Sequence, residues 1–288
     1  MVARRALVIG LCAALFQWGT VVAAAAPDDP ATPKSAKAAP KSKKKKPAEA
    51  PKKADAPPKR EDKPESPPSS ESAVPADAVV ITEVLYNVPA GMDGDANADG
   101  ERDPIGDEFV ELYNRSEKSV SLRGWTIANR LQADDEEAKR GVRFTFPSFD
   151  LPPGGVVVVF NGHESRIAGP VGDDRKAPTS PSDTFGGAWV FSMRNENRFN
   201  AFNNAADFVL LSNKSGTPLD CVVWGKPDTD PPERVRRVVK TKAGDPKGSV
   251  ARDPEEEDVI VHRKIDGKPC SPGVIPSHDK EREPKDDR

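Results

Sequence analysis

The sequence is poor in what a catalytic centre or a single large core draws on. Of its 288 residues only 3 are His, 3 Cys, 3 Met and 2 Tyr. The histidines His163, His262 and His278 fall into no H-x-H or H-E-x-x-H spacing, so the common hydrolytic zinc patterns are missing. No glycine-rich phosphate loop links a strand to a helix, and no G-x-S-x-G elbow occurs, which leaves nucleotide binding and α/β-hydrolase chemistry without support. No helical 3.6 periodicity survives over three turns. Hydrophobic residues are 36% against 31% charged, with 30 prolines, too polar for one packed core through the whole chain. Past the N-terminus, no apolar run approaches the roughly 20 residues of a membrane span.

What is present divides the chain. Arg4-Arg5, the apolar run Ala6–Phe16 and the small-residue stretch Val21–Ala26 read as a secretory signal peptide, cleaved after Ala25. An uncleaved anchor helix is the alternative, opposed by Gln17 and Gly19. Residues 26–78 hold 12 prolines and no aromatic residue, and Lys34–Arg60 alone carries 11 basic groups against 2 acidic. Such a segment has no apolar face to offset its ordering entropy, so it is expected to be a disordered linker, with weak affinity for polyanions through Lys34–Arg60. Residues 277–288 are charged and are expected to be a second disordered segment. The formal net charge of −3 is therefore an average: residues 79–288 are net −8, which counts against bulk polyanion binding by that part. Of the cysteines, Cys221 and Cys270 remain after cleavage, and an exported chain with two cysteines is expected to join them, closing a loop worth about 4 kcal/mol.

Residues 79–276 read as one all-β domain. Short β-branched or alternating segments lie at Val79–Tyr86, Glu108–Tyr113, Ser119–Leu122, Trp125–Ala128, Arg143–Phe146, Val156–Phe160, Phe208–Leu211, Leu219–Trp224, Gly248–Arg252 and Asp258–His262, divided by Gly, Pro and Asn turns. That pattern predicts a β-sandwich or barrel. Val156–Phe160 does not alternate and should be a central strand buried on both sides, or a corner between sheets. Residues 87–106, 130–142, 161–207 and 226–247 read as long connections. Glu108 and Glu111 fall on opposite faces of their strand, so one of them is expected to meet solvent; His262 is expected at the surface.

The motifs Ile81-Thr82-Glu83-Val84-Leu85-Tyr86-Asn87, Asp107-Glu108-Phe109-Val110-Glu111-Leu112-Tyr113-Asn114, Gly124-Trp125-Thr126-Ile127, Leu151-Pro152-Pro153-Gly154-Gly155, Asp220-x-Val222-x-Trp224-Gly225 and Gly248-Ser249-Val250-x-Arg252-Asp253-Pro254 follow one another in an order that resembles a lamin-tail domain of the exported bacterial type. The resemblance implies an immunoglobulin-like β-sandwich with long loop insertions, and a binding or adhesion role without catalysis. On the residues themselves, Trp125 is expected between the sheets, beside Phe109 or Leu112.

Three segments carry candidate chemistry. Asp95-x-Asn97-x-Asp99-Gly100 matches the start of a calcium loop, with side-chain oxygens at alternate positions and a glycine at the sharp turn. Glu101, Asp103 and Asp107 extend the candidate Ca²⁺ ligands, although Gly106 stands where an EF-hand has its twelfth ligand. An acidic, solvated loop is the plain alternative. The segment around Arg198, Phe199, Asn200 and Phe202 mixes amides with aromatic faces, which suits sugars or peptides, or else caps the sandwich. The run 234–242 is basic and alternating, as expected of a charged edge strand or a polyanion contact. Together these predict an exported binding module touching a protein or glycan of the cell envelope, with no membrane span after cleavage, located outside the cell, in the periplasm or at the surface. An accessory nucleic-acid-binding protein using the linker and the 234–242 run is the alternative.

Overall fold

The computed structural model describes residues 75–277 apart from 76, 136, 226–229, 236, 242–246 and 255; the signal segment, the Lys34–Arg60 block and the tail beyond 277 lie outside the described residues. In chain order the elements are β1 Val79–Leu85, β2 Phe109–Asn114, β3 Val120–Ser121, β4 Thr126–Asn129, α1 Arg130–Asp134, β5 Arg143–Thr145, β6 Asp150–Leu151, β7 Val156–Phe160, β8 Val171–Gly172, β9 Trp189–Ser192, β10 Asp207–Ser212, β11 Pro218–Trp224, β12 Arg237–Thr241, β13 Val250–Arg252 and β14 Val259–Val261. One sheet runs β14-β13-β1-β2-β7-β9-β8, a second β12-β11-β10-β4-β5, and β3-β6 form a small ribbon. The result is the all-β, immunoglobulin-like sandwich expected. Among the described residues, no helix is long and apolar enough to cross a membrane.

Side-chain alternation sorts the apolar residues into three clusters. Val110, Leu112, Val157, Val159 and Phe191 from the seven-stranded sheet meet Ile127, Val209, Leu211, Val222 and Trp224 from the five-stranded one in the central core. The intervening Phe109, Val158, Phe160 and Val190 face outward, yet are covered by Ile167, Phe185 and Ala188 from the long excursion after β7. This is why Val156–Phe160 lacks alternation: β7 is a central strand with apolar contacts on both faces. Phe208, Leu210, Cys221 and Val223 form a smaller cluster on the outer face of the second sheet. Trp125 sits in the central core with Leu112, while Phe109 belongs to the outer cluster.

Polar groups bolt the sheets together. Tyr86 and Trp224 stack with centroids 4.2 Å apart. Arg252 Nη2 lies 3.0 Å from Asp220 Oδ2, and Arg252 Nε donates to the Ile81 carbonyl at 2.9 Å. Asp220 Oδ2 also accepts the Ile81 N–H at 2.8 Å, so β11, β1 and β13 share one buried ion pair.

Several expectations are corrected. The segment 161–207 is not a plain connection, since it contains β8, β9 and a 3₁₀ turn at Asp183–Phe185, with β9 parallel to β7. The segment 226–247 is likewise not all connection, since it contains β12, an edge strand parallel to β11, which agrees with the edge-strand reading of the basic run 234–242. Cys221 and Cys270 are both free thiols, not a disulfide. Cys221 belongs to the cluster outside the five-stranded sheet and Cys270 packs on the cluster outside the other, so the sandwich separates them. Burial raises the pKa of both thiols.

Neither Glu108 nor Glu111 meets solvent. Glu111 stands opposite Glu83 in the β1–β2 register, on a face roofed by residues 262–273. Ser249 Oγ and the Ser271 N–H donate to Glu83, and Thr82 Oγ1 and the Gly273 N–H, each at 2.7 Å, donate to Glu111. Burial pushes Glu83 up to about 8 and Glu111 up to about 7. His262 is wholly buried under the same roof rather than at the surface, and burial lowers its pKa.

Candidate functional site

Strand direction gathers the long loops at one end. Because β1 and β7 both run antiparallel to β2, and β9 parallel to β7, the loops after β1, β7 and β9 leave the seven-stranded sheet on the same side. The last of them enters β10, whose antiparallel partner β4 delivers α1 and the 135–142 turn to that end as well.

The aspartate loop after β1 is wound on its own side chains. Asp95 accepts the N–H groups of Asp99 at 3.2 Å and Gly100 at 3.0 Å, and Asn97 Oδ1 accepts the Asp99 N–H at 3.0 Å. Gly100, at φ +90°, makes the turn that an L-residue resists. Asp107 is buried and accepts the N–H of Asn97 at 2.9 Å and of Asp103 at 2.7 Å, with burial pushing its pKa up to about 6. Asp103 Oδ1 accepts the Ile105 N–H at 2.9 Å. Asp99 Oδ2 reaches out to the Arg166 N–H at 2.9 Å and Asn97 Nδ2 donates to Ser165 Oγ at 2.9 Å, fastening this loop to the one after β7. Of the six predicted Ca²⁺ ligands, five thus place their side chains in one network, whereas Glu101 is exposed and joins it through its N–H.

The loop after β9 hangs from buried Glu108. Glu108 Oε2 accepts Asn161 Nδ2 at 3.1 Å and the Phe202 N–H at 3.2 Å, and Asn161 Nδ2 also reaches the Asn200 carbonyl at 2.8 Å. Burial raises the Glu108 pKa well above the usual carboxylate range. Phe202 packs edge-on against Trp224 at 5.8 Å, so it is a core residue and leaves the predicted partner-binding set. Asn200 is held through its carbonyl. Phe199, by contrast, is 53% exposed, with the Arg140 guanidinium 4.9 Å and the Arg198 guanidinium 5.2 Å from its ring centre. Beside this loop opens a cleft of about 560 Å³, walled by Glu164, Arg166, Ile167, Ser192, Arg194 and Asn195.

A group no sequence motif flagged lies between the aspartate loop and the cleft. Ligand-capable atoms of Asp103, His163 and Glu164 all fall within 4.8 Å of one another. His163 was legible only as a lone histidine, because its partner comes from a loop sixty residues earlier. The anchors Glu108, Asn161 and Asp207 were missed for a similar reason: they stand at strand ends on the same side as the core residues Val110, Val159 and Val209, and what buries them there is the loop after β9 folding over the end of the sandwich.

The composition of a serine triad also occurs, with His262 Nε2 2.9 Å from Ser271 Oγ and Nδ1 3.4 Å from Asp266 Oδ1. Both His262 and Ser271 are buried, and Ser271 is engaged by Glu83 and the Val274 carbonyl, so the trio pegs the C-terminal roof and offers substrate no approach. In the basic run, Arg237 lies 4.0 Å from Asp220 and Lys240 3.6 Å from Asp230, while Arg236 and Lys242 lie outside the described residues.

The family model of the lamin tail domain matches residues 72–226. No curated protein matches the sequence.

Proposed function

The chain belongs to the lamin tail domain family, and on that footing we propose that it is an exported, non-enzymatic binding module that contacts a protein or glycan of the cell envelope through the loop-bearing end of its sandwich. Domains of this family commonly mediate protein interactions on an immunoglobulin-like frame. The observation that carries the proposal is Phe199, an exposed aromatic face flanked by two guanidiniums on a loop tethered to the core. An exposed aromatic ring with adjacent cations suits a sugar face bearing acidic groups, or an acidic peptide. The Lys34–Arg60 linker is proposed to add weak attraction to anionic polymers of the envelope.

Retention of the full chain on isolated cell-wall material, compared with duplex DNA, tests this. The expected result is retention on wall material that Phe199→Ala weakens. Retention on DNA alone, falling steeply with salt, would favour the nucleic-acid alternative. The ion pairs of Arg237 and Lys240 weaken that alternative, since they reduce the charge β12 has for phosphates.

Ca²⁺ at Asp95, Asn97, Asp99, Glu101, Asp103 and Asp107 is proposed as a stabiliser of this end. A carboxylate oxygen that accepts one N–H keeps a lone pair for a cation, and Asp103, whose Oδ1 takes both the Ile105 and the Gly106 N–H, would offer its other oxygen, so the loop's internal bonds are compatible with the ion. Raised melting temperature in Ca²⁺, reversed by chelation, is expected; identical melting with and without Ca²⁺ overturns it.

A further inference from the structure

We propose that Asp103, His163 and Glu164 form a binding site for a borderline divalent metal ion of the zinc type, distinct in chemistry from the hard-cation loop with which it shares Asp103. Two independent observations meet here. The first is convergence: one atom from each of the three side chains lies within 4.8 Å of the others, although they come from two loops. The second is His163 itself. The residue is only 8% exposed, and its buried Nδ1 has no hydrogen-bond partner. That nitrogen points toward Asp103, whose Oδ1 is 3.8 Å away, too far for a hydrogen bond.

A buried imidazole nitrogen without a partner is costly, and such groups call for a ligand. Imidazole plus carboxylates is the donor set of Zn²⁺, with bonds of about 2.0–2.2 Å, whereas Ca²⁺ takes oxygen alone. Two donors of one ion at that bond length stand about 3–4 Å apart, so a spacing within 4.8 Å leaves about 1 Å to close. Glu164 is exposed and supplies that freedom, while His163 is buried. The backbone holds the frame: a side chain at Gly106 would collide with the His163 carbonyl, which keeps the two loops in contact. Three protein donors leave one position of a tetrahedral ion open toward water or toward a carboxylate or amide of a bound partner. Glu164 also walls the cleft, so an ion here lies at its rim.

The proposal does not depend on the binding function above, and its test reads metal alone. The full chain is titrated with Zn²⁺ by calorimetry and with Co²⁺ by visible absorption, in metal-free buffer. One equivalent is expected to bind, with the intense absorption of four-coordinate Co²⁺. His163→Gln and Glu164→Gln should each weaken binding about tenfold or more. Glu164 is exposed, so its variant keeps the fold even if the histidine variant does not. The effect of Ca²⁺ on melting should be unchanged in Glu164→Gln, which separates this site from the calcium loop. Absence of binding, or binding that Glu164→Gln and a folded His163→Gln leave intact, overturns the proposal.

Discussion

Glu83 and Glu111 face each other in adjacent strands, both buried, and burial raises the pKa of both. In the fold they hold protons that the unfolded chain releases above its ordinary value of 4.5. The native state therefore binds more protons than the unfolded one in this window, and stability falls as pH rises. We expect unfolding free energy to be highest near pH 5 and to drop up to about pH 8, by on the order of 1 kcal/mol per pH unit for each proton held. Urea titrations across that range measure it. Glu83→Gln, which cannot ionise but still accepts the Ser249 and Ser271 donors, should flatten the curve; a wild-type profile already flat from pH 5 to 8 would mean that the pair is not protonated. Alternation placed Glu108 and Glu111 on opposite faces but could not reveal that both are buried, because the Gly273 N–H in the roof over Glu111 comes from 162 residues further along the chain.

At the scale of elements, the loop after β9 divides into a core part and a surface part. Phe202 inserts against Trp224, whose indole Nε1–H donates to the neighbouring Asn203 carbonyl at 2.8 Å, while Phe199 three residues earlier stands in solvent. Phe202→Ala should cost about 3–5 kcal/mol by emptying a core position. Phe199→Ala should change stability by no more than about 0.5 kcal/mol, as for other surface positions. Denaturant melts of the two variants check this, and equal losses would mean that Phe199 is buried by the fold as well. The same loop shows what sequence pattern conveys. Its amides and aromatics marked it as special, and the flanking strands β7 and β10 were read directly from valine and leucine runs. The strand leading into it, β9, was not. It is four residues long and pairs parallel to β7, so neither a hairpin turn nor an alternating run announces it. β8 was passed over for the same reason, completing its sheet through a parallel pairing, whereas β12, also parallel to its neighbour, was announced as an edge strand by the basic alternation of 234–242. The metal-capable group at His163 is a product of loop convergence, which no local window contains.

At the scale of the molecule, the family match ends at residue 226, but the sandwich does not. β13 is hydrogen-bonded on one side to β1 and on the other to β14, and it brings Arg252 to Asp220. The segment after β14 supplies the Ser271 and Gly273 N–H groups that reach Glu83 and Glu111. A chain stopped at residue 226 would leave Asp220 buried without its guanidinium, a change that typically costs about 3–5 kcal/mol. It would also uncover β1 as an edge strand carrying Glu83, with unpaired backbone groups open to aggregation. Those losses approach the whole stability of an ordinary domain, about 5–15 kcal/mol. The shortened chain is therefore expected to be unfolded or aggregated, while one ending at residue 277 melts cooperatively; circular dichroism and size-exclusion chromatography of the two chains compare them. Cooperative melting of the shorter chain at the same temperature would show that β13, β14 and the C-terminal roof are an attachment and not a part of the fold.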